Sequence, residues 1–193
     1  PNVEFNMPTN LAASTMVEGY CSQSHLGCGF VLLNPGAGWE SRRWSVRKFG
    51  AVSRYLGQQY QVPTVVAWAG AEEEEMATTI VQKSGGHALK APRTTLVELC
   101  ELIRKSRFYL GCDTGPMHMA AAVGTPCITL HGPTLATHSG AYGGQNIAVQ
   151  AFYQESDRKS SSAAMNAIEV DHVNRACDEM LTRQGQKKIN EAA

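Results

Sequence analysis

The chain has 193 residues, 43% of them hydrophobic, and its 17 Lys+Arg are balanced by 17 Asp+Glu. That length suits one domain with a proper core rather than two large ones, and the even charge leaves no basic field to gather nucleic acid or an anionic membrane. No apolar run approaches the roughly 20 residues of a membrane-spanning helix, and Pro1 to Tyr20 lack the charged and apolar regions of a secretory signal.

Residues 1–27 are polar and aperiodic and read as a linker or N-terminal arm. The missing initiating Met gives the expectation that the chain starts inside something longer. From Phe30 onward strand and helix patterns alternate. Phe30–Leu33 is a short apolar strand closed by Asn34-Pro35-Gly36, and Ser45 is the expected N-cap of a helix reaching Gln58. Thr64–Trp68 is the next strand, and Glu72–Lys83 the next helix, ended by Gly85-Gly86. His87–Leu89 is a candidate third strand, and Leu96–Lys105 a helix with Leu99, Leu102 and Ile103 on its apolar face. Then come a strand at 108–112, a helix at 116–123, a strand at Cys127–Leu130, a Gly-rich loop over 131–145 and a strand at Asn146–Val149. Asp171 is the expected N-cap of a last helix running to Arg183, and the tail 184–193 is polar and expected to fray.

The domain is therefore expected to occupy 28–183. Five or six β–α alternations with short turns predict an α/β, Rossmann-like fold, a parallel sheet with helices on both faces. Ligands of such sheets sit outside the carboxyl ends of the strands, so the loops 34–44, 68–73 and 112–118 matter most.

The third of these loops is the most informative. An apolar run stops at Asp113-Thr114-Gly115-Pro116-Met117-His118, and a small-residue helix begins. The first turn of a helix leaves N–H groups unpaired and carries partial positive charge, which suits phosphate. Pro116 fits the opening position, where a missing N–H costs little. In the first loop, Gly36 and Gly38 allow close backbone approach, and Arg42 and Arg43 bring two charges that suit phosphate oxygens. Neither the Walker nor the dinucleotide glycine spacing is present. In the second loop, a run of acids from Glu72 to Glu75 opens a helix, and one carboxylate at the strand end suits vicinal hydroxyls. Plainer readings stand beside each of these: solvated arginines, acids that only complement the helix dipole, a capping aspartate and a core histidine.

The six cysteines, Cys21, Cys28, Cys100, Cys112, Cys127 and Cys177, form no C-x-x-C pair. Those at 100, 112 and 127 lie in apolar segments and behave as small hydrophobes. Neither a disulfide framework nor a zinc site is expected, and a reducing, cytoplasmic setting follows.

Several ordered pieces together resemble the ADP-heptose:lipopolysaccharide heptosyltransferases, glycosyltransferase family 9. They are Asn34-Pro35-Gly36-Ala37 with Arg42-Arg43-Trp44; Trp68 to Glu75; Asp113-Thr114-Gly115-Pro116-Met117-His118 followed by Gly124-Thr125-Pro126; Gly132-Pro133-Thr134 with Gly140-Ala141-Tyr142-Gly143; and Met165 to Ile168 with Val170 and Val173. They span about residues 30–181. The resemblance implies the C-terminal half of a GT-B glycosyltransferase, the half that binds the nucleotide-sugar donor. It implies that Arg42 stands where the family has a phosphate-binding lysine, that Glu73 holds the ribose hydroxyls, and that Thr94 or its neighbour Arg93 meets adenine. It further implies that Asp113 contacts the heptose while Thr114, Gly115, Pro116 and His118 surround the pyrophosphate. Arg42 for lysine, Ala69-Gly70 after Trp68, and His131 at a position more often apolar depart from the family pattern.

The implied reaction is inverting transfer of heptose from ADP-heptose to a lipopolysaccharide core acceptor. No cofactor and no metal are expected, with arginine and helix dipole neutralising the leaving diphosphate. The catalytic base and the acceptor floor would belong to an N-terminal half without counterpart here, so no catalytic residue is assigned. The implied location is the cytoplasm, peripheral to the inner membrane. Two other classes stay open: a GT-B-like enzyme using another nucleotide-sugar such as a UDP-sugar, and a non-catalytic nucleotide-binding module.

Overall fold

The computed structural model describes residue 5 and residues 7–27, 29–151 and 162–191; Cys28 lies outside them. Six strands form one sheet in the order β3-β2-β1-β4-β5-β6. They are β1 (Val31–Asn34), β2 (Thr64–Val66), β3 (Ala88–Lys90), β4 (Phe108–Cys112), β5 (Cys127–His131) and β6 (Ile147–Gln150). Every pairing is parallel, as the alternating pattern predicts. The expected strands are met to within one residue, except that Ala67 and Trp68 leave β2 to join the loop beyond it.

Alternate side chains of each strand face opposite layers, the period-2 geometry of a strand. Val31 and Leu33 of β1, Phe108 and Leu110 of β4, and Ile128 and Leu130 of β5 point to one side. There they meet Phe49, Val52 and Leu56 of α2 (Val46–Tyr60), Ile80 of α3 (Gly70–Lys83), and Val173, Cys177 and Met180 of α8 (Val170–Glu191). Leu32, Val65 and Tyr109 point the other way, onto Leu99, Leu102 and Ile103 of α4 (Leu96–Lys105) and Met117 and Ala120 of α5 (Gly115–Ala122). Each fully buried Leu, Ile or Phe in these layers contributes about 1.5–3 kcal/mol, which fixes the strand register.

Four local expectations are corrected. The segment before Phe30 is not aperiodic: it contains α1 (Leu11–Gln23), capped by Asn10, whose Oδ1 accepts from the Ala13 N–H at 3.0 Å. This helix buries Val17 against α4 and is tied down by Lys105–Glu18 and by Arg104 donating to the Met7 carbonyl at 2.7 Å. The Gly-rich loop holds one short helix, α6 (Ala136–Ser139), and α7 (Ala163–Asn166) precedes α8. Asp171 lies inside the first turn of α8 rather than at its cap. That helix continues past Arg183 to Glu191, and within it the Gln184 side chain donates to the Arg107 carbonyl at 2.7 Å. Ser45 does hold the N-cap position of α2, though its hydroxyl makes no capping bond.

Candidate functional site

β1 and β4 are neighbours, yet the chain leaves β1 toward β2 and β4 toward β5. The loops after them diverge and open a crevice at the carboxyl edge, where ligands of doubly wound sheets bind. A cleft of ≈ 360 Å³ lies there.

Its floor is set by close backbone approaches. Asn34 ends β1 opposite Gly111 of β4, and its Oδ1 accepts from the Gly36 N–H at 2.9 Å, turning the chain sharply. A Cβ on Gly111 would lie 2.8 Å from the Asn34 carbonyl oxygen, and one on Gly36 would lie 2.0 Å from Glu73 Oε1. Glycine is thus a steric requirement at Gly111, where the obstacle is backbone, whereas a side chain at position 36 would displace the Glu73 carboxylate. Glu73 itself reaches back to accept from the Ala69 N–H at 2.8 Å, so one carboxylate spans the loops after β1 and β2.

The far wall comes from the loop after β3. The Trp68 indole donates to the Ala91 carbonyl at 2.8 Å. This anchors the turn that carries Thr94 and the capping box of α4, in which Thr95 and Glu98 satisfy each other's backbone N–H groups. Leu96 and Leu99 supply an apolar wall beside Thr94. Arg93 is exposed and does not line the cleft.

On the β4 side the N-terminus of α5 faces the cleft through Thr114, Gly115 and Pro116. The number of free donors is smaller than the sequence suggests. Pro116 has none, and the Met117 and His118 N–H groups already bond to the Thr114 carbonyl. Gly115, as the first helical residue, keeps an N–H without an intrahelical acceptor. The Thr114 hydroxyl is buried beside the Tyr109 phenol.

Adjoining this wall is a charged cluster. Asp113, only 7% exposed, accepts from Arg42 Nη1 at 3.3 Å and from Ser139 Oγ at 2.9 Å. His118, half exposed, brings Nε2 to 3.9 Å from the other oxygen of the carboxylate. Beyond it His131 is fully buried, its Nε2 against Thr129 Oγ1 at 2.9 Å and its Nδ1 unpartnered. Burial pushes the His131 pKa down, with the Asp113 charge opposing that shift.

The two adjacent arginines part company. Arg42 turns to Asp113, whereas Arg43 pairs with the exposed Glu72 through both terminal guanidinium nitrogens. That pairing raises the Arg43 pKa and lowers that of Glu72. The short 3₁₀ turn Glu40–Arg42 produces this divergence, and the buried Trp44 fixes it by donating its indole N–H to the Ile168 carbonyl at 2.9 Å.

Of the residues singled out in the sequence, Glu73, Thr94, Thr114, Gly115 and Pro116 share the cleft. Arg42, Asp113 and His118 gather next to it, and Arg43 is paired with Glu72 and does not line it. Sequence reading missed Asn34, Leu96 and Ser139. Asn34 had a usable signal, a polar residue closing an apolar strand before Pro-Gly. Ser139 had none, since it meets Asp113 only through the tertiary fold. Among the described residues no group of three His, Cys, Asp or Glu side chains is placed to hold a metal ion, and no helix is long and apolar enough to cross a membrane.

Comparison with known proteins gives a consistent answer. The sequence profile of glycosyltransferase family 9 (heptosyltransferase) matches residues 7–168. Lipooligosaccharide heptosyltransferase 2 of Campylobacter jejuni is 29% identical over 119 residues, which cover 59% of this chain and 37% of that protein. A family 9 glycosyltransferase from Veillonella parvula superposes with a TM-score of 0.81 at 19% identity, covering 92% of this chain and 53% of the other. ADP-heptose lps heptosyltransferase II of E. coli gives 0.78 at 18% identity, covering 96% and 56%. The chain thus spans well under two thirds of the length of the relatives it matches.

Proposed function

The chain belongs to glycosyltransferase family 9, the heptosyltransferases, and from that premise we propose that residues 28–183 bind the nucleotide-sugar donor, ADP-heptose, for transfer of heptose to a lipopolysaccharide core. The observation that carries this reading is the switch-point cleft of ≈ 360 Å³, in which Glu73, Thr94 and the α5 N-terminus converge.

The roles divide by chemistry. Thr94 and the Leu96–Leu99 wall offer an apolar slot with a polar rim for adenine. Glu73, pinned by the Ala69 N–H, offers acceptor oxygens to the ribose hydroxyls. Thr114 and the Gly115 N–H, together with Arg42, face the diphosphate, with His118 at its flank. Asp113 addresses the hydroxyls of the heptose. In the transition state negative charge grows on the departing ADP. A helix terminus and a guanidinium already in place stabilise that charge without reorganising.

In-line attack by an acceptor hydroxyl inverts the anomeric carbon. The base for that hydroxyl and the acceptor floor come from a second, N-terminal half, a division that the partial coverage of the relatives supports. On this reading the work is done in the cytoplasm, peripheral to the inner membrane, and the chain alone binds donor without turnover. Titration calorimetry with ADP, UDP and GDP tests it. Preference for ADP supports the reading. Preference for UDP replaces it with a UDP-sugar enzyme, and equal weak binding of all three removes it.

A further inference from the structure

We propose that Ser139 is a positioning residue for the sugar end of the donor, holding Asp113 so that its Oδ1 oxygen is presented to the ligand. The inference rests on the donor-site reading above and adds a residue to it. Both donors to Asp113 fall on one oxygen: Arg42 Nη1 at 3.3 Å and Ser139 Oγ at 2.9 Å reach Oδ2. Oδ1 is left with His118 Nε2 at 3.9 Å, too far for a hydrogen bond. Two donors on Oδ2 stop the carboxylate from rotating and leave the lone pairs of Oδ1 for hydroxyl groups of a polyol.

The two donors differ in what happens when donor substrate arrives. A diphosphate competes for the Arg42 guanidinium, because phosphate oxygens accept from arginine at least as well as a carboxylate does. Ser139 has only the Leu135 carbonyl, at 3.5 Å, as a second acceptor, farther than Asp113 Oδ2. It is neutral, half-buried and held on the β5–β6 side of the cluster. When Arg42 turns to phosphate, Ser139 is the remaining donor on Oδ2.

The fold braces Ser139 for this task. The Ser139 N–H bonds to the Leu135 carbonyl at 3.1 Å, and the Gly140 N–H to the Ala136 carbonyl at 2.8 Å. A Cβ on Gly140 would lie 2.4 Å from the Ala136 carbonyl oxygen, so the turn closes only with glycine there. The Gln150 carboxamide clamps the loop leading into α6. Its Oε1 accepts from the Ala136 N–H at 2.9 Å, and its Nε2 donates to the His131 and Gly132 carbonyls at 3.0 and 3.3 Å. β6, the clamp, α6, Ser139 and Asp113 form one continuous chain of bonds.

The test is calorimetric titration of the chain and of its Ser139→Ala and Ser139→Thr variants with ADP and with ADP-heptose, alongside thermal melts. Ser139→Ala is expected to weaken ADP-heptose about tenfold, the usual effect of deleting a hydrogen bond to a charged group, and to leave ADP within about twofold. Ser139→Thr, which keeps the hydroxyl, is expected to restore most of the loss. Equal weakening of both ligands, or no change in either, overturns the proposal while leaving the donor-site reading standing. If the unaltered chain binds neither ligand, the donor-site reading fails and the role of Ser139 falls with it. Failure of Ser139→Thr to recover ADP-heptose binding in a chain that melts normally also overturns it.

Discussion

Gly36 and Glu73 stand so close that a methyl group on the first would lie 2.0 Å from Oε1 of the second. The contact joins the loops after β1 and β2 and fixes where the Glu73 carboxylate faces the cleft. Gly36→Ala is expected to push Glu73 aside and weaken ADP binding about tenfold, about 1.4 kcal/mol, with little change in melting temperature. Calorimetry and a thermal melt on the same preparation check this. Undiminished ADP affinity would remove Glu73 from the binding site.

The ion pair between Arg42 and Asp113 leads to opposite expectations for its two members. Asp113→Ala frees the guanidinium, so ADP binding is retained or tightened while ADP-heptose weakens about tenfold. Arg42→Ala removes a cation from the diphosphate and weakens both ligands, by about tenfold for one charge-assisted contact. Equal loss of ADP and ADP-heptose in Asp113→Ala would reduce Asp113 to a structural partner of Arg42 and Ser139.

His131 makes stability depend on pH in a window that can be stated from its direction of shift. Burial lowers its pKa in the folded chain below the ordinary 6.5. Between that lowered value and 6.5 the unfolded chain therefore binds more protons than the folded one. Stability then rises with pH across this window and is lost as pH falls through it. Urea unfolding at a series of pH values from 7.5 down to 5 is expected to show a falling midpoint, and His131→Phe to flatten that fall. An identical slope in the variant would mean that other groups carry the acid sensitivity.

Trp44 belongs to the packing rather than to the site. Its indole N–H bonds to the Ile168 carbonyl at 2.9 Å, and its ring meets Phe49 edge-on with centroids 4.8 Å apart. Lys48 Nζ also donates to the Ile168 carbonyl, at 2.9 Å. Trp44→Phe loses one hydrogen bond, about 1 kcal/mol net, plus a smaller cavity term for the missing part of the ring. Trp44→Ala opens a cavity and costs about 3–5 kcal/mol. Denaturant midpoints should fall in that order, with an unchanged slope in the phenylalanine variant.

The fold was readable wherever a local signal matched the tertiary role. β4 and α5 are marked by an apolar run ending at Asp-Thr-Gly-Pro, and Gly85 and Gly86, with φ of 67° and 89°, end α3 as glycines do. The arm before Phe30 was not readable, because α1 buries little more than Ala13 and Val17 and depends on charged partners far along the chain. The separation of Arg42 from Arg43 was equally hidden. Adjacent arginines look alike in a sequence, and only a 3₁₀ turn with two acids from different elements tells them apart. Ser139 and Gln150 act through contacts that no spacing rule anticipates.

Two residues beyond Arg42, the polypeptide is bolted by Trp44 to Ile168, on the far side of the last strand. The reach of a cation at the cleft is therefore calibrated by a stretch of backbone that never approaches the ligand. A shift of the Ile168 carbonyl would move Trp44, and with it a charge more than a hundred residues earlier in the chain.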